Sequence, residues 1–397
     1  MKRIKLAYLL NHPNDIPLGS LVYMTKPENV DVKVLVMNFH HNDEYGWSSN
    51  PSVGKGKVLT PCIRNTDIAD VKNVYPESDI FICNNYYDFR YHVEEADILC
   101  SRGKEFCIFK DFGKKSVALS MDRSYFNRML DVMPYYKDLK VFLQGENWLR
   151  EDLCGNFNMS VAGNLQSYDN IEKYKEKIKC VDILGHYKEI LSKKSKQETR
   201  QDLGIPTDRK VGFVSFRKAE EDFSVYRNND DFLEKTRDMM EDFKSKGYYI
   251  LCRERLDKEN VAWDQRRGTS NLINQVADLI DMKIDGHDGF PSLIWRAMYA
   301  SDILLCADTS GICSKEAFVC RTPIYMPYDD YFIDNKLKLN FQHHNPLNPV
   351  LRNMYNNRII FNAFDEESLR KFNENVDKSY SEWYNTDVDL FWKEMLN

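Results

Sequence analysis

The chain has 397 residues, of which 43% are hydrophobic, and this length exceeds what one hydrophobic core usually supports, so we expect two domains. The formal net charge of −6 argues against a nucleic-acid partner, because proteins that bind nucleic acids carry an excess of basic residues. No apolar run approaches the roughly 20 residues of a membrane-spanning helix, so any membrane contact is expected to be peripheral.

Cysteine usage and the start of the chain both indicate a cytoplasmic protein. The ten cysteines form no Cys-x-x-Cys pair, and this spread predicts buried free thiols in a reducing compartment. The apolar part of Met1 to Leu10 is short and runs into polar residues without a small-residue cleavage site. We interpret it as a strand, not as a secretory leader.

The first half of the sequence alternates short apolar runs with gaps of helical length. This rhythm is typical of a parallel α/β sheet. Proline and glycine between the early runs predict long loops at the edge of the sheet, where a substrate would lie. The predicted strands are Lys5 to Leu10, Val32 to Met37, Asp79 to Cys83, Phe106 to Phe109 and Lys140 to Leu143.

Residues 171–200 are rich in lysine, and their apolar side chains recur at helical spacing. We predict a helical linker whose lysines face water. The alternative is a basic amphipathic helix that rests on an anionic bilayer, which would place the protein peripherally at the inner face of the membrane. Glutamates interrupt the cationic face, and this favours the linker.

A second α/β unit is predicted after the linker. The expected organisation is an acceptor-side Rossmann-like domain (residues 1–170), the linker (171–200), a donor-binding Rossmann-like domain (201–380) and a C-terminal helix (381–397). The aromatic-rich tail from residue 366 is predicted to be helical and packed. The other predicted elements are strands at Lys210 to Phe216, Tyr248 to Cys252, Ile303 to Cys306 and Ile324 to Met326, and helices at Phe232 to Lys246, Ser292 to Tyr299 and Lys315 to Cys320.

The most informative stretch runs from Ser301 to Tyr328 and predicts a buried strand, a small-residue turn, a helix and a second strand. The turn, Asp308 to Gly311, offers capping oxygens and a flexible backbone. The free N–H groups at a helix N-terminus attract anions, so a nucleotide diphosphate would fit there. Ordinary helix capping is the alternative. Glu316 on the helix and the β run that ends at Pro327 favour the phosphate site.

Two Rossmann-like halves with such an anion site resemble a GT-B glycosyltransferase, which implies an inter-domain cleft. Gly163 to Asp169 is similar to the Gly-Asn-Pro-x-x-Asp turn of the CDP-glycerol glycerophosphotransferases and their capsule-polymer relatives. Arg200 to Arg217 resembles the start of the second domain in that group, and Ser301 to Pro323 resembles its donor segment. The three matches occur in the right order.

The sequence departs from that group at two histidines. The group usually carries a His-Gly pair after a strand in the first domain, where this chain has Phe109 to Gly113. It also tends to place a histidine after the strand that here reads Ile250 to Arg255, and none is present. These departures weaken the case for glycerophosphate transfer and leave a nucleotide-activated donor.

Transfer from such a donor needs positive charge around the departing diphosphate. Arginines follow two predicted strands, where they either contact the diphosphate or form surface ion pairs. His287, in a glycine-rich loop, is a candidate to contact the base or the phosphates, or is exposed to solvent. In other GT-B enzymes a glutamate after the small-residue turn holds the ribose, and Glu316 matches it. The expected donor-binding residues are Arg217, Arg253, Arg255, His287, Thr309, Ser310, Gly311 and Glu316.

Two residues compete for the role of catalytic base. His12 follows the first strand, at the edge where open α/β folds place their sites, and histidine accepts protons near neutral pH. Asp111 stands beside the position that the resembled group gives to its histidine. A structural role is the alternative for each. We interpret His343-His344 and Asp329-Asp330 as loop residues, so neither a metal nor a cofactor is expected.

The leading hypothesis is a metal-independent glycosyltransferase of polysaccharide biosynthesis. It would move a sugar from a nucleotide-activated donor to a glycan or surface-polymer acceptor. One alternative is a polyol-phosphate transferase of the CDP-glycerol type. Another is a non-hydrolysing sugar-nucleotide 2-epimerase, a group whose Ser-Gly-x-x-x-x-Glu text resembles Ser310 to Glu316. A third is a catalytically silent binding module on the same fold.

Overall fold

The chain divides into two compact units. Unit 1 comprises Met1–His186, His287–Phe290 and Trp383–Asn397, and unit 2 comprises Tyr187–Gly286 and Pro291–Glu382. The computed structural model describes residues 3–11, 15–39, 41–42, 58–59, 65–102, 108–109, 112–120, 138–143, 175–179, 181, 183–214, 229–253, 275–284, 293–305, 316–326, 360–361, 365–383 and 386–397.

Strands and helices alternate in both units. The strands are β1 (Ile4–Leu10), β2 (Val30–Met37), β3 (His41–Asn42), β4 (Val58–Leu59), β5 (Ile80–Cys83), β6 (Ile98–Arg102), β7 (Lys115–Ser120), β8 (Leu139–Leu143), β9 (Ile178–Lys179), β10 (Val211–Val214), β11 (Tyr249–Arg253), β12 (Met282–Ile284), β13 (Ile303–Leu305), β14 (Ile324–Tyr325) and β15 (Ile360–Phe361). The helices are α1 (Ile16–Met24), α2 (Asn65–Val74), α3 (Tyr86–Glu94), α4 (His186–Leu191), α5 (Lys196–Leu203), α6 (Asn229–Ser245), α7 (Leu293–Ala300), α8 (Glu366–Trp383) and α9 (Val388–Leu396).

Unit 1 is built on a seven-stranded sheet in the order β5-β2-β1-β6-β7-β8-β9. All neighbouring strands in it are parallel, and Leu6 of β1 pairs with both Val32 and Ile98. The side chains from Leu6 to Leu10 are at most 1% exposed. Such continuous burial is typical of a parallel strand that is covered on both faces. The predicted parallel sheet is therefore confirmed.

One predicted strand of unit 1 is wrong. Ile108 and Phe109 lie in a 3-10 turn, whereas the strands of this region are β6 and β7. Both residues are buried, and the ring of Phe109 stacks on Phe89 with centroids 6.2 Å apart. A short apolar run predicts burial, and burial alone does not distinguish a strand from a turn.

Unit 2 is built on a six-stranded parallel sheet in the order β12-β11-β10-β13-β14-β15. The strands predicted from the apolar runs are confirmed, and their described ends agree with the prediction to within one residue. Helices α5 and α6 are followed by Gly204 and Gly247, which take φ angles of 69° and 83°. This left-handed conformation is accessible to glycine without a steric penalty.

The lysine-rich segment of residues 171–200 is helical only in part. Ile178 and Lys179 form β9, which pairs with β8 at the edge of the first sheet, so the helical spacing misleads here. Helices α4 and α5 follow, and α5 begins with a capping box in which Ser195 and Glu198 satisfy each other's backbone N–H groups. Arg200 of α5 is buried and forms an ion pair with Asp302 at 2.8 Å.

The aromatic tail is helical and packed, as predicted. Phe391, Trp392 and Met395 of α9 are buried in unit 1. The ring of Phe391 lies 4.9 Å from that of Phe142, and Trp392 Nε1 donates to Thr25 Oγ1 at 3.1 Å. Within the described ranges, no helix has both the length and the apolar character that a bilayer crossing requires.

Candidate functional site

The strand order of unit 2 reverses between its two central strands. The chain adds β11 and β12 on one side of β10, and then β13, β14 and β15 on the other side. Open α/β sheets bind ligands at such a switch point, outside the carboxyl ends of the strands. The last residues of the two central strands, Val214 and Leu305, are register partners and are fully buried. The carboxyl ends of these two strands therefore lie side by side.

The sequence-predicted donor residues follow the strands that end at this edge. Arg217 comes three residues after Val214, and Thr309 comes four residues after Leu305. Arg253 is the last residue of β11 and pairs with Ile284, the last residue of β12. Of Arg253 only the backbone is described. The remaining candidates of this group lie outside the described residues; they are Arg217, Arg255, His287, Thr309, Ser310 and Gly311.

Glu316 is the candidate donor residue whose side chain is described. It lies in helical backbone of residues 316–319, and its Oε1 accepts a hydrogen bond from Trp295 Nε1 at 3.3 Å. Trp295 is only 1% exposed, and its ring packs 4.0 Å from that of Tyr187. A buried indole therefore orients the half-buried carboxylate of Glu316.

Cys320 lies one turn after Glu316 and packs against the same tryptophan. Its Sγ donates to the carbonyl oxygen of Trp295 at 3.4 Å. Burial, and next the negative charge of Glu316, raise the pKa of Cys320 well above its ordinary value. The thiol therefore stays protonated and serves as a donor that fixes the Trp295 backbone.

Unit 1 has a corresponding switch point between β1 and β6, since β2 lies on one side of β1 and β7 lies beyond β6. A buried polar cluster occupies this edge. Arg102, at the end of β6, donates from Nη1 to Asp15 Oδ1 at 2.8 Å. Ser101, which precedes Arg102, and Asn11, which follows β1, are also fully buried. His12 lies between Asn11 and Asp15 in the sequence, outside the described residues.

Sequence reasoning missed Arg102. Its signal is an arginine two residues after the short apolar run Ile98 to Cys100, which is the pattern of a strand end. The other candidate base, Asp111, also lies outside the described residues, between Phe109 and Phe112.

The charges at this edge affect the pKa of Tyr8, which lies on β1. It is fully buried, and burial is the main cause that raises its pKa well above the ordinary value. The negative charge of Asp15 adds to the rise, and the positive charge of Arg102 opposes it. Tyr8 is therefore a neutral hydroxyl near the carboxyl end of the central strand.

The described residues contain no group of three or more His, Cys, Asp or Glu side chains arranged to hold a metal ion.

No protein-family model matches the sequence, and no curated protein matches it.

Solved structures are similar to the whole chain. The wall teichoic acid polymerase TagF matches with a TM-score of 0.52 and 14% identity, over 99% of this chain and 88% of that chain. A Listeria monocytogenes protein provisionally assigned as a UDP-N-acetylglucosamine 2-epimerase matches with a TM-score of 0.50 and 11% identity, over 97% of this chain and 92% of that chain.

At these identities the likeness shows the fold alone. The chain has the two-domain GT-B fold, and the fold predicted from the sequence is confirmed. The narrower resemblance to the CDP-glycerol group stays a prediction, because proteins with two different assignments share the fold.

Proposed function

We propose that this protein is a glycosyltransferase that moves a sugar from a nucleotide-activated donor to a glycan or surface-polymer acceptor. The proposal rests mainly on the register pairing of Val214 with Leu305 at the switch point of unit 2. Val214 is followed in the sequence by Arg217, and Leu305 is followed by Thr309 to Gly311. Because Val214 and Leu305 are neighbours, these two segments begin side by side. Arginines and helix N–H groups would then neutralise the diphosphate without a metal ion.

The orientation of Glu316 supports a role in binding the ribose. One carboxylate oxygen, Oε1, accepts the Trp295 indole N–H, which limits rotation of the side chain. Ribose hydroxyls are good donors to a carboxylate, and an ordered carboxylate loses less conformational entropy on binding.

The acceptor base is proposed to come from unit 1, as His12 or Asp111. The ion pair between Arg102 and Asp15 supports His12, because it ties the chain just after His12 to the carboxyl end of β6. His12→Ala and Asp111→Ala are each expected to leave nucleotide binding intact, and only replacement of the true base abolishes turnover. Equal activity in both variants would remove this assignment.

The decisive test is thermal unfolding in the presence of UDP, GDP, CDP and CMP compounds. A ligand at roughly one hundred times its dissociation constant stabilises the native state by about 2.7 kcal/mol. We expect stabilisation by one base type, and Arg217→Ala and Thr309→Val should reduce it. Arg209→Ala is the matched control, since Arg209 precedes β10 and donates to Gly247 O at the opposite edge of the sheet. A melt that no nucleotide shifts contradicts the donor site.

Turnover with single nucleotide sugars separates the function classes. A transferase hydrolyses the donor slowly and consumes it rapidly once an acceptor is added. An epimerase changes the sugar of the donor without any acceptor, and this result would replace our proposal. Stabilisation by a nucleotide with no transfer, hydrolysis or epimerisation of the donor would indicate a binding module, and this result would also overturn our proposal.

A further inference from the structure

A cavity of about 500 Å³ lies in unit 2, at the amino ends of the strands. Lys210, Tyr248, Asp302 and Pro323 line it, and they immediately precede β10, β11, β13 and β14 respectively. The proposed donor site is at the carboxyl ends of the same strands. A strand of four residues, such as β10, separates the two edges by about 13 Å at roughly 3.3 Å per residue, so the cavity is a separate site.

The charged groups of the cavity are mostly cationic. Among the described lining residues, three carry positive charge, namely Lys196, Lys210 and Arg321, and one is a carboxylate, Asp302. That carboxylate is already engaged, because Asp302 Oδ2 accepts from Arg200 Nη2 at 2.8 Å and from the Val211 N–H at 2.7 Å. The cavity therefore retains an excess of positive charge.

The lysines keep donors for a ligand. Lys196 Nζ donates to the carbonyl oxygen of Ser301 at 2.8 Å, which uses one of its three N–H groups. Burial lowers the pKa of Lys196, and the charge of Arg200 adds to this effect while Asp302 opposes it. An anion beside Lys196 would offset the cost of holding its charge there.

Arg321 stands in a conformation that is unusual for arginine. Its φ of 56° is the only positive value among the described non-glycine residues. It follows a helical turn in which Thr322 N donates to Ala317 O and Arg321 N donates to Phe318 O, the pattern of a helix end that favours glycine. Gly204 and Gly247 occupy the equivalent positions after α5 and α6.

The left-handed conformation costs an ordinary residue about 1 kcal/mol relative to glycine. Arginine here brings a guanidinium into the cavity lining, where a glycine would bring none. Its ion pair with Asp377 at 2.7 Å is largely exposed, and such pairs contribute little to stability. A gain in binding is a physical reason for keeping the cation at this position.

Apart from the polar Asn373, the other described lining residues are apolar or aromatic; they are Tyr248, Tyr299, Pro323, Leu369, Phe372 and Val376. We propose that this cavity binds a small organic phosphate monoester, with its dianionic head between Lys196, Lys210 and Arg321 and its apolar body against these side chains. A phosphate dianion matches the excess of cations better than a carboxylate does. The proposal is independent of the glycosyltransferase assignment.

The test is isothermal titration calorimetry of the full chain with phenyl phosphate. We expect tighter binding of phenyl phosphate than of inorganic phosphate, benzoate or phenol. Benzoate or phenol that binds as tightly as phenyl phosphate would overturn the assignment to a phosphate ester. Inorganic phosphate that binds equally well would overturn the role given to the apolar lining.

Variants locate the site. Arg321→Gly suits the backbone and removes the cation, so it should weaken phenyl phosphate binding by about tenfold or more, as expected for a charge-assisted hydrogen bond. Lys196→Met and Lys210→Met should weaken it as well, whereas Lys235→Met, on the exposed surface of α6, should not. Loss of binding in Arg217→Ala with normal binding in Arg321→Gly would place the phosphate in the donor site and refute the proposal.

Discussion

Arg102 and Asp15 are 87 residues apart in the sequence and form a buried ion pair in unit 1. Arg102 is 6% exposed and Asp15 is 2% exposed, and their side chains approach to 2.8 Å. The pair joins the end of β6 to the residue that precedes α1. It thus fixes the sheet edge at which His12 is proposed to act.

We predict that Arg102→Met lowers the free energy of unfolding by about 3–5 kcal/mol, because it leaves the Asp15 carboxylate buried without its cation. Combining it with Asp15→Asn should recover part of the loss. Arg3→Met is the control, since it breaks the exposed Arg3–Asp31 pair and should cost less than about 1 kcal/mol. Urea unfolding measures all of these, and equal losses in Arg102→Met and Arg3→Met would contradict the buried pair.

Gly19→Ala should destabilise unit 1 by about 1–3 kcal/mol through overpacking. An added Cβ would lie 2.6 Å from both Tyr8 Cε1 and Tyr75 Oη, and both tyrosines are buried. Gly212→Ala is the comparison, because its Cβ would meet only the ends of Leu305 and Ile250, at 3.1 and 3.3 Å. Thermal unfolding should show a clearly larger loss for Gly19→Ala.

Arg321→Gly should be more stable than Arg321→Ala by about 1 kcal/mol. Both variants remove the guanidinium and its ion pair with Asp377, but only glycine takes the observed φ of 56° without strain. Denaturant unfolding compares the two directly. Equal stability would show that the left-handed conformation carries no strain at this helix end.

Two raised pKa values predict that the free energy of unfolding decreases at alkaline pH. Burial raises the pKa of Cys83 to about 12, and burial together with the hydrogen bond to Asp79 raises that of Tyr23 to about 12. Their unfolded values are 9.0 and 10.0. Above these values the folded state holds protons that the unfolded state has lost, so the stability present below pH 9 falls as the pH rises toward 12.

Urea unfolding below pH 9 and at about pH 11 measures this fall. Tyr23→Phe removes one titrating group and should make the fall shallower. The described thiols are buried, so alkylation followed by peptide mass spectrometry should find them unmodified in the native protein; they are Cys83, Cys100, Cys252 and Cys320. Rapid native alkylation of these four would contradict their burial.

Glu316→Ala tests the ribose role. The wild type should bind its preferred nucleoside diphosphate more tightly than the 2′-deoxy analogue, because the carboxylate accepts from the ribose hydroxyls. Glu316→Ala should bind both compounds alike. Glu316→Gln is the structural control, since its amide oxygen still accepts from Trp295 Nε1. Unchanged discrimination in Glu316→Ala would exclude the role.

The elements that local chemistry specifies are predictable from the sequence. Ile303 to Leu305 forms a strand because a short apolar run bounded by polar residues suits a covered parallel sheet. The ends of α5 and α6 follow from Gly204 and Gly247, since glycine favours the left-handed conformation there. The burial of Cys83 and Cys252 is also predictable, because a free cysteine within an apolar strand behaves as a small hydrophobic residue.

Tertiary pairing limits the rest. Ile178 has helical spacing to its neighbours, but the edge of β8 provides hydrogen-bond partners that convert it to a strand. Arg102 has no local signal that identifies Asp15 as its partner. Likewise, the donor residues can be proposed from turn chemistry, but that β10 lies beside β13 is a property of strand order, which local sequence does not specify.

Helix α9 has a consequence for how the protein is made. Phe391 and Met395 belong to the interior of unit 1, although the intervening residues Tyr187–Gly286 build the other unit. During synthesis on the ribosome, the surface of unit 1 that α9 covers therefore stays exposed until residue 395 has emerged. Unit 2 has its own strands complete before then, so the first unit begun is the last one finished.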